Sequence, residues 1–396
     1  MAAPFIDTLD PAYDRDIHTA HAEARQHSWY AETPLGKLML SYDDVHWLLH
    51  DKRWRELGND ALPAAGISEG PLWDWFHQIL SNKEGEEHAR LRRFVSRAFT
   101  PRRSEALRPV MRRTAHELLD AFLDAGQCEY VEAFAAPYPL RVIGTLIGVP
   151  PGDFAQFQRW ANDLSLAFSS RIAQERTRIE AALVALSDYV GDLIALRRRQ
   201  PADDLVSALI ATEEADDPLA PEALRAMVTV LIFGGQDTTQ CQLACAAKAF
   251  AEHPDQWKLL TERPDLAERA AEETLRWEPA GSGSPRVALV AMEHRGVAIE
   301  AGSAAIPCAP SANRDPSVYE DPDRFDITRE HPRTMLTFGG GVHYCLGASL
   351  ARAEIQEALG VLGARIAELA PAGESVWRIG SQIRGPETLP LRFRAR

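Results

Sequence analysis

The chain lacks the marks of secretion and of membrane insertion. Its N-terminal residues, MAAPFIDTLDPAYDRD, hold no basic stretch followed by an apolar core, and no apolar run reaches the ~20 residues a bilayer requires. Cysteine is scarce, with five in 396 residues (Cys128, Cys241, Cys245, Cys308, Cys345). They are odd in number and scattered, which suits a reducing compartment and argues against a disulfide framework. The expectation is a cytoplasmic protein without a membrane association, in which at least four of these cysteines are ordinary small core residues. Positive charge is also short. Against 57 Asp and Glu stand 43 Lys and Arg, and the formal net charge of −14 argues against nucleic-acid binding. No repeat, low-complexity tract or flexible joint interrupts the chain, so 1–396 is expected to be a single domain and a monomer.

With 45% hydrophobic and 25% charged residues, the composition is that of an ordinary globular protein able to bury a large core. Helical periodicity dominates over 102–124, 174–199, 221–252 and 348–369. Thr100 before Pro101 reads as an N-cap with proline at the first helical position, Gly126 as a stop, and Gln200-Pro201 as another. Strand-like alternation is confined to 36–42 and 285–307. The fold class expected is mainly α with small antiparallel β-sheets. One stretch departs from the acidic background: 88–113 carries nine arginines against the single Glu105. So dense a basic patch suits docking of an acidic partner.

The 221–252 segment would span roughly 48 Å as a helix at ~1.5 Å per residue. Its MVTVLIF stretch is apolar on all sides, as in a buried helix. Into that middle the chain places Gly234-Gly235, each costing about 1 kcal/mol relative to alanine, then Gln236-Asp237-Thr238-Thr239. Small residues leave a groove, and an adjacent carboxylate and hydroxyl inside it can relay protons.

The second unusual stretch is FGGGVHYCLG at 338–347, directly before the strongly helical ASLARAEIQEAL. A cysteine that starts a helix after a loop free to adopt positive φ has its thiolate stabilised by backbone amides and the helix dipole. Such a thiolate is a nucleophile, with His343 as its conceivable base, or a metal ligand. Zinc would need three companions, and no second cysteine–histidine pair stands at metal spacing. A phosphate loop would need a following Gly-Lys-Ser/Thr, which is absent. Beside the nucleophile there remains a single axial thiolate to a haem iron.

In this loop the chain resembles the cytochrome P-450 superfamily of haem-thiolate monooxygenases. Phe338, Gly339, Gly341, His343, Cys345 and Gly347 match its F-G-x-G-x-H-x-C-x-G pattern at six fixed positions. Chance agreement somewhere in the chain is on the order of one in 10⁵. Glu273 and Arg276 fit its ExxR motif, followed in the expected order by ANRDP (312–316) and DPDRFDITR (321–329).

The resemblance implies a haem b held between the long central helix and the cysteine loop, with Cys345 on the iron. It implies contacts to the haem from Phe338 and Gly339, and to its propionates from His88, Arg92, Arg286 and His343. Glu273, Arg276 and Arg324 would form a buried structural network. Asp237 and Thr238 would deliver protons during dioxygen activation. Substrate contacts would come from Phe233, Gly234, Gln236, Gly281, Ser282, Gly283 and Ile383, with Trp73, Trp75 and Phe76 either in a lid or in plain packing. Arg90, Arg93, Arg97, Arg102 and Arg103 would face an acidic ferredoxin, since no flavin or iron–sulfur domain is expected in the chain. The implied activity is oxidative tailoring of a medium-sized organic molecule in secondary metabolism, free or tethered to a carrier protein. Xenobiotic catabolism, a thiol hydrolase using Cys345 and His343, and a non-catalytic haem sensor are the alternatives.

Overall fold

The apolar middle of the chain forms one unbroken helix, Pro221–Glu252, in a computed structural model that describes residues 3–216 and 219–396. Helices Pro137–Ile147, Phe154–Ser165, Arg176–Arg199, Ala267–Trp277 and Ala348–Arg365 pack around it. Wrapped on every side, it buries even Gln236, Asp237, Gln240 and Gln242. A methyl group at Gly235 would lie 2.9 Å from the Ile143 side chain. This glycine therefore permits a close helix crossing, the structural role that offsets its low helix propensity.

Two expected helices end differently from their periodicity. The 102–124 segment divides into Pro101–Ala106 and Arg108–Asp120, because Pro109 has no N–H to continue the first helix and instead opens the second. Thr100 caps the first as expected, accepting from the Arg103 N–H at 3.3 Å, and Gly126 adopts φ 67° at the stop. The 348–369 segment is helical only over Ala348–Arg365. Ile366–Pro371 is a strand paired antiparallel with Pro390–Ala395, a long-range partner that local periodicity does not reveal.

The largest sheet has five strands in the order Tyr30–Thr33, Gly36–Met39, Ala304–Pro307, Arg286–Ala288, Trp54–Glu56. Its pairs are antiparallel except Gly36–Met39 with Ala304–Pro307, which run parallel. Two short strands, Val376–Trp377 and Pro386–Thr388, form a hairpin near the C-terminus. Among the described residues no helix is long and apolar enough to cross a membrane.

Beneath the helices lies a fully buried ion pair. Arg276 and Glu273 are both 0% exposed and bond in bidentate fashion, Nε to Oε2 and Nη2 to Oε1, each at 2.7 Å. The remaining guanidinium donors reach the carbonyls of Asn313 (3.1 Å), Pro322 (2.7 Å) and Arg324 (3.1 Å). Arg324 itself is not the third member of this network, contrary to expectation. Its side chain is 65% exposed beside Asp326, and Arg329 approaches Glu273 instead, at 3.4 Å. Both arginines belong to the same DPDRFDITR segment, and the backbone turn that donates Arg324's carbonyl to Arg276 directs its side chain outward.

The network extends to the cysteine loop. Asn313 accepts from the Leu336 N–H and donates to Thr337 Oγ1, both at 2.8 Å, and Thr337 Oγ1 donates to the Leu275 carbonyl at 2.7 Å. Removing one partner of a buried pair strands the other charge. Arg276→Ala should therefore lower the unfolding free energy by about 3–5 kcal/mol, whereas Arg324→Ala should stay within about 0.5 kcal/mol of the parent. Urea titrations followed by far-ultraviolet circular dichroism compare the two.

Candidate active site

A cavity of about 450 Å³ separates the central helix from the 338–347 loop. On the loop side, Gly339 and Gly341 adopt φ 70° and 62°, a region that favours glycine. The Cys345 N–H donates to the Phe338 carbonyl at 2.9 Å, closing the loop so that the sulfur faces the cavity. Burial raises the Cys345 thiol pKa. The Gly347 N–H, the Arg92 and Arg352 cations and the Ala348 N–H act against that rise. Arg352 also covers the Phe338 ring at 4.5 Å. Phe338 and Gly339 both line the cavity.

The facing wall is a stripe of the central helix: Met227, Leu231, Gly234, Thr238 and Gln242. Nothing lies within 4 Å of a methyl group built on Gly234, so this glycine opens directly into the space. Thr238 Oγ1 donates to the Gly234 carbonyl at 2.7 Å. Asp237 does not line the cavity. It is 2% exposed and paired with Arg378 Nη1 at 2.8 Å. Burial raises its carboxyl pKa, and the Arg378 cation acts in the opposite sense.

At one edge, His88, Arg92, Arg286 and His343 line the cavity together, as the family resemblance implies. Two carboxylates absent from that expectation join them. Glu56 pairs with Arg286 Nη1 and accepts from Ser284 Oγ at 2.5 Å. Glu84 accepts from the Glu56 N–H at 2.7 Å and lies 3.3 Å from His343 Nε2. Burial, reinforced by the neighbouring His343 and Arg92, lowers the His88 pKa to about 4, against a smaller opposing effect of Glu84. Arg286 Nε is buried without a partner. That stranded donor, on a guanidinium already paired with Glu56, is open to an acceptor from outside the chain.

Of the expected substrate contacts, Gly234, Gly281, Gly283 and Ile383 line the cavity, and Phe233, Gln236 and Ser282 do not. The first two fall off the 227–231–234–238 stripe of a helix with 3.6 residues per turn. Phe233 stacks on Phe168 with ring centroids 4.3 Å apart, and Gln236 donates to Gln240 at 2.8 Å. Ser282 Oγ donates to the Gln382 carbonyl at 2.9 Å. Trp75 and Phe76 are buried against Phe168 too, and Trp73 packs on the same core; none of the three lines the cavity. Packing is thus their observed role.

The residues fit a haem. A cysteine sulfur faces a glycine-opened helix groove across an apolar space, and an edge of His88, Arg92 and Arg286 holds an unpartnered donor suited to carboxylates. Such a constellation defines a haem-thiolate protein. The cytochrome P450 family model matches residues 152–362. Luteothin monooxygenase of Streptomyces thioluteus is 38% identical over 99% of this chain and 96% of its own. Nocardicin C N-oxygenase of Nocardia uniformis subsp. tsuyamanensis is 38% identical over 95% of both chains. Among solved structures, CalO2 superposes with a TM-score of 0.92 at 30% identity over 99% of each chain. P450BioI, solved with an acyl carrier protein bearing hexadec-9Z-enoic acid, gives 0.90 at 31% identity over 97% of this chain and 99% of that one. The chain belongs to the cytochrome P450 family, carries haem as its cofactor, and is a monooxygenase.

The hairpin that supplies Arg378, Gln382 and Ile383 is anchored by Arg384, whose guanidinium pairs with Glu278 in the interior. His18 Nε2 approaches the same carboxylate at 3.0 Å. Burial keeps the His18 pKa low despite Glu278, so Arg384 is the standing countercharge. Burial alone would raise the Glu278 pKa, but His18, Arg384 and Arg314 bring it down to about 2. A carboxylate depressed below its unfolded value of roughly 4.3 stabilises fully above that pH and loses the contribution as pH falls toward 2. The wild-type unfolding free energy should fall by roughly 2 kcal/mol more than that of Glu278→Gln as the pH drops from 5 to 3. Urea titrations across that range measure the difference.

Proposed function

We propose that this monooxygenase inserts one oxygen atom into a medium-sized, mainly apolar secondary metabolite, using haem b and electrons from an acidic ferredoxin. The observation that carries the reading is the cavity itself. Its central-helix and hairpin walls are aliphatic at Met227, Val230, Leu231 and Ile383, while Ser81 and Gln382 supply a few polar groups. That mixture suits an apolar skeleton bearing some oxygen functions. The relatives' names support the substrate class: luteothin and nocardicin C appear in two of them. Among the described residues that line the cavity Cys345 is the one cysteine, which supports a haem held by that sulfur as haem b. Bound haem supplies the activation of dioxygen.

The chain's own residues position and protonate. Thr238, on the open face of the helix groove, hydrogen-bonds on the substrate side, and Asp237 behind it is the acid that replenishes protons. Arg378 holds Asp237 away from the cavity and rides on the hairpin whose Gln382 and Ile383 face substrate. It is a positioning residue for that acid. His88, Arg92 and Arg286 hold the propionates, with Glu56 and Glu84 fixing the orientation of Arg286 and His343.

A carrier-tethered substrate is the second reading, favoured by the likeness to P450BioI, which was solved on its carrier. Spin-state difference spectra decide between them. Free metabolite analogues should shift the ferric Soret band, and a shift seen only with carrier-bound compounds would favour the tethered form. Thr238→Ala should cut product formed per electron consumed by roughly tenfold while leaving the substrate-induced spectral shift in place. Unchanged coupling would remove Thr238 from proton delivery.

Electron supply is read from the basic run. Arg93, Arg97 and Arg102 are exposed and Arg90 and Arg103 half-buried; Arg108 and Arg112, further along, pair with Glu357. Reversing Arg93 and Arg97 to glutamate should slow reduction by an acidic ferredoxin about tenfold at low salt. The difference should shrink as added salt screens the encounter. Stopped-flow reduction under carbon monoxide reads both effects.

A further inference from the structure

We propose that His50 is a positioning residue for the cysteine loop, holding it through a hydrogen bond that only the neutral ring can accept. The inference rests on Cys345 being the iron ligand. The Tyr42–His50 helix lines the cavity through Val45 and Leu49, and its last turn presses into the glycine run. A methyl group on Gly340 would sit 2.6 Å from His50 Cε1, and one on Gly341, at φ 62°, would sit 2.4 Å from the Leu49 carbonyl oxygen. The two glycines are therefore required by this helix end, beyond the needs of the loop itself.

The ring's tautomer follows from its partners. His50 Nδ1 lies 2.7 Å from the His46 carbonyl, which can only accept, so Nδ1 carries the proton. Nε2 is left with its lone pair and accepts the Gly341 N–H at 3.1 Å. A column supports the imidazole from behind. His46 stacks on it at 4.0 Å, Tyr42 stacks on His46, and Arg333 lies over Tyr42 at 4.1 Å while pairing with Asp43 at 2.6 Å. With Gly341 tied to the helix and the Cys345 N–H tied to Phe338, the loop is fixed on both sides of His343.

This contact borders a second, solvent-open cavity of about 540 Å³, lined by Tyr42, His46, His50, Arg333 and Tyr344 together with the loop glycines.

The test uses the holoenzyme and follows the rate at which its ferrous carbon monoxide complex loses the long-wavelength thiolate Soret band at neutral pH. His50→Phe keeps a ring but no acceptor. It should lose the band about fivefold faster than wild type at neutral pH, the size expected for one ordinary hydrogen bond. His50→Gln offers a carbonyl oxygen to Gly341 and should stay within about twofold of wild type at neutral pH. Equal rates for wild type and His50→Phe, or a His50→Gln rate as fast as that of His50→Phe, would overturn the proposal. If the phenylalanine variant does not fold, His50→Leu, which also lacks an acceptor, takes its place with the same two outcomes. A wild-type complex without the thiolate band would overturn the Cys345 reading instead.

Discussion

A thiolate that must face an apolar cavity needs its support from the backbone, because a side-chain cation placed against it would fill the space the cofactor requires. The 338–347 loop meets this constraint with the Gly347 and Ala348 N–H groups directed at the sulfur, while the Cys345 N–H closes the loop on the Phe338 carbonyl and the glycines adopt positive φ. Arg92 and Arg352 contribute at a distance, as fields more than as contacts. The loop is in turn only as rigid as its approach. Leu336 and Thr337 are tied by Asn313 to the carbonyl-rich environment of the buried Glu273–Arg276 pair. A pair with no catalytic contact therefore governs where the sulfur stands, which is a reason to keep an ion pair whose burial gains little stability.

The opposite wall reconciles two demands on one helix. Pro221–Glu252 is long enough to cross the interior and is packed on all sides, yet it must open toward the sulfur. It does so with two glycines of different use: Gly235 admits the neighbouring helix at Ile143, and Gly234 leaves empty space. Asp237 follows at once, buried and held by Arg378. Because Arg378 lies on the hairpin that also presents Gln382 and Ile383, the substrate wall and the acid are parts of one mechanical unit. Glu278 anchors that unit through Arg384.

Much of this is legible in the sequence, for physical reasons that differ by residue. Cys345, His343 and the loop glycines are close together in the chain and tightly spaced, so local pattern suffices. The Pro221–Glu252 boundaries are marked by proline and by sustained apolar content. What escaped notice is held by long-range partners. Arg378 and Asp237 are 141 residues apart, Glu56 meets Arg286 across two strands, and His50 reaches Gly341 over 291 residues. None carries a local signal. The errors at Phe233, Gln236 and Ser282 have a common source as well: they adjoin cavity residues in sequence, but their side chains turn away. Arg324 failed for a subtler reason, since its backbone and not its side chain enters the network that Arg329 completes.

Everything above turns on Cys345 reaching the iron as a thiolate. The most direct measurement is the absorption spectrum of the purified, dithionite-reduced protein under carbon monoxide, taken beside that of Cys345→His. The account predicts a Soret band at the long-wavelength position that a thiolate ligand would produce, replaced in the variant by the shorter-wavelength band of an imidazole ligand. A wild-type band already at the shorter position, or one unmoved by the substitution, would contradict it.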